Sequence, residues 1–218
     1  MKESVNSQAA VNYVNSTSIQ FQNTKQAVEE FNIHGKPFDN WAGPVALAFG
    51  VANRYEAVFS AVNDIAQLSR ATAANYKPNI GHYTVTEGYG EIELPLAHDT
   101  AWAKSLDFNG AIRATSYSTS GLVATWKAGL TYQPIDDLHF RGVHSRDIRA
   151  PNLQDLYAGG SGGQSPGIIN PFAGGVTFPT FLNNTVGNPN LNPENADTNS
   201  LGVVLTPTFF PGFQASVD

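Results

Sequence analysis

One segment has the spacing of a catalytic serine motif, the glycine-rich stretch GGSGG at residues 159–163. The G-x-S-x-G pattern holds a nucleophile on a sharp turn between a buried strand and a helix. Here the glycines lead into a polar stretch that reaches Pro166, with no strand pattern before them and no helix pattern after them. We therefore interpret the segment as a flexible loop and expect no catalytic serine.

Paired carboxylates are the second candidate for chemistry, because Glu91 and Glu93 stand two positions apart and would share one face of a strand. Such a pair can act as general acid and base, but we favour a role as hydrogen-bond acceptors on the wall of a sheet. His139 and His144 are five apart and would fall on opposite faces, so we do not expect them to share a metal. With no phosphate-binding loop and no zinc motif either, the sequence predicts no cofactor, no metal and no enzyme.

Composition narrows the class of protein further. The 218 residues include 12 Lys+Arg and 18 Asp+Glu, which gives a net charge of −6 with only 14% charged residues. The absence of a basic cluster argues against nucleic acid as a partner, and the absence of cysteine excludes disulfides. No apolar run approaches the roughly 18 residues of a membrane helix. A membrane β-barrel stays possible, because its strands alternate apolar and polar residues.

Strict alternation of apolar and polar residues predicts an all-β, antiparallel protein. Between residues 105 and 115, for example, Leu106, Phe108 and Ile112 face away from Asp107 and Arg113. Helical spacing occurs in one stretch, between Tyr55 and Ala74. The predicted strands cover residues 25–34, 45–51, 85–94, 105–115, 125–133, 138–149, 201–205 and 213–217.

The connections between these strands alternate in length. Short connections fall near residues 35–44, 95–104, 134–137 and 207–212, and the others near 53–83, 116–121 and 150–196, two of which are very long. Up-and-down outer-membrane barrels have short turns on one side and long loops on the other. Aromatic residues predicted near strand ends, where rings can sit at the lipid headgroups, agree with this interpretation: Trp102, Trp126, Tyr132, Phe209 and Phe210.

An ordered series of segments resembles the barrel of TonB-dependent outer-membrane receptors. The segments are GPVALAFGVANRYEAV (43–58), VTEGYGEIELPL (85–96), FNGAIRATSYSTSG (108–121), TWKAGLTYQPIDDLHFRG (125–142), SRDIRAPNLQDLY (145–157) and GNPNLNPENADTNSLGVVLTP (187–207). The order of the series is more specific than any single segment.

The resemblance implies an antiparallel up-and-down transmembrane β-barrel segment, about eight strands of a 22-stranded barrel. Residues 25–218 would be this partial barrel, and residues 1–24 a polar, loop-like segment without the family's plug domain. The resemblance further implies the bacterial outer membrane as location, with outer-membrane lipid, a small-molecule nutrient ligand and the TonB-ExbB-ExbD complex as partners. Residues 1–24 do not have the pattern expected of a signal peptide, which would be consistent with a fragment, and a fragment with free edges should not transport by itself.

The resemblance also assigns candidate lumen and ligand residues. Charged side chains would face the lumen, since Arg or Lys on the lipid face costs about 2–4 kcal/mol at mid-membrane depth. One strand is an exception, because His144 and Arg146 follow Leu138, Phe140 and Gly142 on the same face. Either this strand leaves the hydrocarbon near His144 or the register changes there. The candidates are Glu87, Glu91, Glu93, Arg113, Arg141, Arg146, Asp147, Arg149 and the loop residue Tyr157.

Two alternatives remain open from the sequence. One is a complete eight-stranded outer-membrane barrel or adhesin, and the other is a soluble carbohydrate-binding β-sandwich. Aromatic residues in the long loops could stack on a sugar or siderophore ring, or could pack the loops together: Tyr76, Tyr83, Tyr157, Phe172, Phe178 and Phe181.

Overall fold

A large antiparallel sheet dominates the computed structural model, which describes residues 7–71 and 75–218, apart from several side chains between 163 and 183. Each strand of this sheet pairs with the next of its strands along the chain. In spatial order the strands are β1 (Gln20–Asn40), β2 (Gly43–Val62), β4 (Ile80–Thr100), β5 (Ala103–Tyr117), β6 (Gly121–Ile135), β7 (Leu138–Arg149), β10 (Glu194–Leu205) and β11 (Ala215–Val217). The sheet is therefore an up-and-down meander, as the alternation predicts.

The remaining elements lie in the long connections and before β1. A second, three-stranded sheet has the order β3 (Asn75–Tyr76), β8 (Ser161–Asn170), β9 (Val176–Asn184). The helices are α1 (Gln8–Val14), α2 (Asp64–Gln67), α3 (Leu153–Tyr157) and a 3₁₀ turn (Pro171–Ala173). Within residues 7–71 and 75–218, no helix has the length and apolarity needed to cross a membrane.

The chain divides into two compact units. The described residues of the first lie within 7–26, 56–71, 75–83 and 151–191, and its core includes Leu156 and Ala66, which are 1% and 0% exposed. The second holds residues 27–55, 84–150 and 192–218, which form most of the large sheet.

Two chemically distinct faces run across the second unit. Directly opposite residues of antiparallel strands point to the same side, so pairs such as Leu94↔Phe108 and Phe108↔Leu130 join neighbouring strands into one continuous surface. The apolar face carries Ile92, Leu94, Leu106, Phe108, Ile112, Trp126, Leu130, Tyr132, Phe140, Leu201 and Val203. The polar face carries Glu87, Tyr89, Glu91, Glu93, Asn109, Arg113, Lys127, Arg141, Asp147 and Arg149.

Short and long connections alternate as predicted except at residues 118–120, which form a turn of only three residues between β5 and β6. The short ones are residues 41–42, 101–102, 136–137 and 206–214, and the others are 63–79, 118–120 and 150–193. Polar side chains hold the tight turns: the Asn40 carboxamide oxygen accepts from the amides of Ala42 (2.8 Å) and Gly43 (3.0 Å), and Thr100 Oγ1 accepts from the Ala103 amide (3.2 Å). These contacts satisfy backbone donors that the ladder leaves unpaired in the turn.

The predicted helix between Tyr55 and Ala74 is wrong over most of its length. Strand β2 continues to Val62, and the only helix described there is α2 (Asp64–Gln67), while residues 72–74 lie outside the described part. Alternate positions such as Tyr55 and Phe59 are apolar too, so the segment also fits a strand. Long-range pairing in the sheet overrides the helical spacing.

Other elements also differ from the sequence prediction in their boundaries. Strand β1 begins at Gln20 and extends to Asn40, beyond the predicted 25–34, and helix α1 lies within the segment predicted as loop-like, whose residues 1–6 are not described. The glycine-rich stretch enters strand β8 at Ser161 instead of staying a loop throughout. Trp126 lies inside β6 and not at its end, because that strand is longer than predicted.

Candidate functional site

A hydrogen-bonded cluster on the polar face joins β4 and β5. The register sets Glu87 opposite Thr115 and Tyr89 opposite Arg113. Arg113 donates from its guanidinium to Glu87 Oε1 (3.2 Å), and Thr115 Oγ1 donates to Glu87 Oε2 (3.4 Å). The Arg113 guanidinium also lies 4.9 Å from the centre of the Tyr89 ring, within cation–π range. Two predicted site residues, Glu87 and Arg113, are therefore direct partners.

Glu91 and Glu93 lie on the same face, as predicted, and both are exposed. They line a depression of about 270 Å³ together with His34 and Lys36. Glu91 also borders a second depression of about 190 Å³, whose charged members are Arg113, Lys127 and Asp147. Charges of both signs line this surface, which suits hydrogen bonds and ion pairs with a polar neighbour.

Cross-strand ion pairs hold the arginines of β7. Arg149 donates to Glu194 Oε1 (3.0 Å), and the Arg141 guanidinium contacts the Asp218 carboxylate. Asp147 accepts from Ser145 Oγ (3.0 Å), within the same strand. The predicted residues Arg141, Asp147 and Arg149 thus share the polar face.

Arg146 is separated from the other candidates. It stands opposite Trp126 on the apolar face, where its Nε lies 2.7 Å from Asp197 Oδ1. His144 shares this face and packs edge-on against Trp126, with 4.8 Å between the ring centres. The register continues through this region, so Arg146 shares the face of Leu138 and Phe140, and its role as a lumen or ligand residue stays a prediction. Polar residues therefore interrupt the apolar face at this level of β7 and β10.

The Arg146–Asp197 pair leads to a first prediction. Asp197→Asn leaves Arg146 without a carboxylate partner on the apolar face, and we expect a lower denaturant midpoint for the protein in phospholipid vesicles. Glu194→Gln is the matched control, because it removes a carboxylate beside Arg149 on the polar face, where water can solvate the guanidinium. Equal midpoints for the two variants would contradict a lipid-facing Arg146.

Tyr157 anchors its own segment. It ends helix α3, its hydroxyl donates to the His82 carbonyl (2.9 Å), and its ring covers Gly81 so closely that a Cβ there would overlap it. Of the other loop aromatics, Tyr83 is buried and donates to Glu56 Oε2 (2.6 Å), whereas Phe172 is 98% exposed. The predicted Phe178 and Phe181 side chains lie outside the described residues.

Asn79 is a central residue that the sequence did not single out. It is 6% exposed, its Oδ1 accepts from the Gly159 amide (2.7 Å), and its Nδ2 donates to Gln22 Oε1 (3.4 Å) and Gln154 Oε1 (3.3 Å). These partners come from three distant segments, so no local pattern could reveal them. In the described part of the chain, no group of three or more His, Asp or Glu residues could hold a metal.

An up-and-down sheet with one apolar face, one charged face and alternating short and long connections is the wall of an outer-membrane type of β-barrel. The sequence model of the family described as "TonB dependent receptor-like, beta-barrel" matches residues 3–218. The chain belongs to this family.

A solved structure shares the fold. The siderophore receptor PirA from Acinetobacter baumannii aligns over 87% of this chain with a TM-score of 0.59 and 17% identity. The chain spans 25% of the length of that receptor. No curated protein sequence matches this chain.

Proposed function

We propose that this chain forms part of the barrel wall of a bacterial outer-membrane receptor that takes up a scarce nutrient, of the siderophore, vitamin B12 or oligosaccharide type. The observation that carries the proposal is the two-faced sheet. Its apolar face would meet outer-membrane lipid, and its mixed charges would line the lumen. Mixed signs suit contacts with a polar plug domain better than an open pore for one ion charge.

Energy would come from the TonB-ExbB-ExbD complex, acting through the plug domain of the family. The 218 residues by themselves would not transport. Strands β1 and β11 stand at the two ends of the sheet order, and their outer edges carry backbone groups that lipid cannot satisfy. The same order speaks against a complete eight-stranded barrel, in which β1 and β11 would pair.

Nutrient uptake by cells tests the proposal. The complete gene is expressed in a bacterium that lacks its own copy, and accumulation of labelled nutrients is compared in strains with and without TonB. We expect accumulation of one nutrient only where both the gene and TonB are present. Residues 1–218 expressed alone should give no accumulation. Uptake that persists without TonB would contradict the proposal.

A further inference from the structure

The first unit contains a cavity of about 490 Å³ that is separate from the charged depressions of the large sheet. Residues of β1, the 63–79 connection and the 150–193 connection contribute to its lining. A volume of this size falls within the range of roughly 300–1,000 Å³ that is usual for small-ligand sites. The cavity is thus large enough for a ligand of a few rings.

Amide groups dominate one side of this cavity. Asn79 donates to the side-chain oxygens of Gln22 (3.4 Å) and Gln154 (3.3 Å). A glutamine amide has two N–H donors besides its oxygen. When Asn79 holds the oxygens, the Nε2 groups of Gln22 and Gln154 are available as donors to a ligand.

The hydrogen bonds of Asn79 also restrict the side-chain amides of Gln22 and Gln154. Its side-chain oxygen accepts from the Gly159 amide (2.7 Å), and its backbone N–H donates to Ser60 Oγ (2.6 Å), so that both its side chain and its backbone are held. Asn79 and Ser60 are 6% and 1% exposed. Donors held in place before a ligand arrives lose less entropy on binding.

Hydroxyl and apolar groups complete the lining. Ser161 and Thr185 are exposed and can exchange hydrogen bonds with hydroxyl groups. Tyr76 and Val186 are 39% and 58% exposed, and offer apolar surface to the C–H face of a ring. Alternating hydroxyl groups and C–H faces are the chemistry of a sugar.

The charges of the lining residues distinguish between anionic and neutral ligands. Among the described lining residues the only charged side chain is Asp155, and none is Lys or Arg. Asp155 Oδ2 accepts from the Asn152 amide (3.0 Å), in the capping box of helix α3. An anionic ferric siderophore would meet a carboxylate and no cation, whereas a neutral ligand has no such electrostatic cost.

We propose that this amide-lined cavity binds a neutral, hydroxyl-rich ligand of the oligosaccharide class. The proposal rests on the receptor function proposed above, and it names the class of nutrient. Gln22 and Gln154 donate to ligand hydroxyls, Ser161 and Thr185 exchange hydrogen bonds with them, and Tyr76 packs against a ring face.

To test this, the receptor is expressed from the complete gene and purified in detergent. Its binding to an array of neutral and acidic oligosaccharides is then measured. Titration calorimetry then measures the affinity for the best neutral glycan, and for ferric enterobactin as the anionic probe. We expect binding of neutral glycans, weakened about five- to tenfold by Gln154→Ala and by Thr185→Ala, as for the loss of one hydrogen bond each. Gln67→Ala is the matched control, because Gln67 is exposed in the same unit and does not line the cavity.

The inference would be overturned if no glycan bound, if only acidic glycans bound, or if ferric enterobactin bound with an affinity that depends on Gln154. Neutral glycan binding that Gln154→Ala and Thr185→Ala leave unchanged would also overturn it. Because the array measures binding without TonB, its outcome is independent of the uptake assay. TonB-dependent uptake of another nutrient, without glycan binding, would reject this inference and leave the receptor function intact.

Discussion

Leu130→Arg should destabilise the proposed receptor in phospholipid vesicles by about 2–4 kcal/mol, the cost of an arginine facing lipid near the bilayer midplane. Leu130 lies on the apolar face, opposite Phe108 on one neighbouring strand and Gly142 on the other. Its side chain is 44% exposed, so in the proposed barrel an arginine there would point into the hydrocarbon. Denaturant-induced unfolding, followed by the change in gel migration of folded barrels, measures the free energy.

The neighbouring position gives the matched control. Thr131 pairs with Arg141 and Asp107 on the polar face, so Thr131→Arg should change the free energy of unfolding by less than about 1 kcal/mol. Equal destabilisation by the two variants would mean that both faces are exposed to the same kind of solvent, and would contradict a lipid-facing sheet.

Gly159→Ala should detach the segment around α3 and destabilise the first unit by about 1–3 kcal/mol. A Cβ at Gly159 would overlap the Pro78 carbonyl oxygen, and would lie 2.8 Å from its carbonyl carbon. These are backbone atoms, so a side-chain rotation cannot relieve the clash. The shift would also break the hydrogen bond from the Gly159 amide to Asn79. Limited proteolysis within residues 151–191 measures the effect.

Gly162→Ala serves as the control, because a Cβ at Gly162 meets nothing within 4 Å. We expect this variant to keep the protease resistance of the parent receptor. In both variants the amides of β5 and β6 should keep their protection from hydrogen exchange, since the substitution lies in the other unit. Unchanged proteolysis in Gly159→Ala would show that the contact with Pro78 does not hold the segment.

The sequence predicts the two faces of the sheet correctly because one physical rule, the side-chain period of two in a strand, acts at every position. Leu106, Phe108 and Arg113 therefore fall on their predicted sides. Strand length is harder to predict, since exposed residues such as those of β1 carry little pattern. Between Tyr55 and Ala74 the same residues fit both the helical period and the strand period of two. Only pairing with distant strands decides between helix and strand.

For the candidate site residues, too, alternation predicts the face of the sheet but not the partners from distant parts of the chain. Glu87 and Arg113 could be predicted on one face from alternation, but their direct contact depends on the register between β4 and β5. Asn79 could not be found, because Gln22, Gln154 and Gly159 reach it from separate parts of the chain. Arg146 was assigned by its charge, and its partner Asp197 lies 51 residues away in β10.

The short turns have a consequence for how the wall assembles. Residues 41–42, 101–102 and 136–137 each join two long strands, so three hairpins consist of contacts that are local in the sequence, and local contacts form fastest. The pairing of β7 with β10 must instead close a connection of residues 150–193, at a larger cost in chain entropy. We expect pulse-labelling hydrogen exchange during refolding to protect the β4–β5 and β6–β7 amides before those between β7 and β10, so that the wall grows by the docking of preformed hairpins.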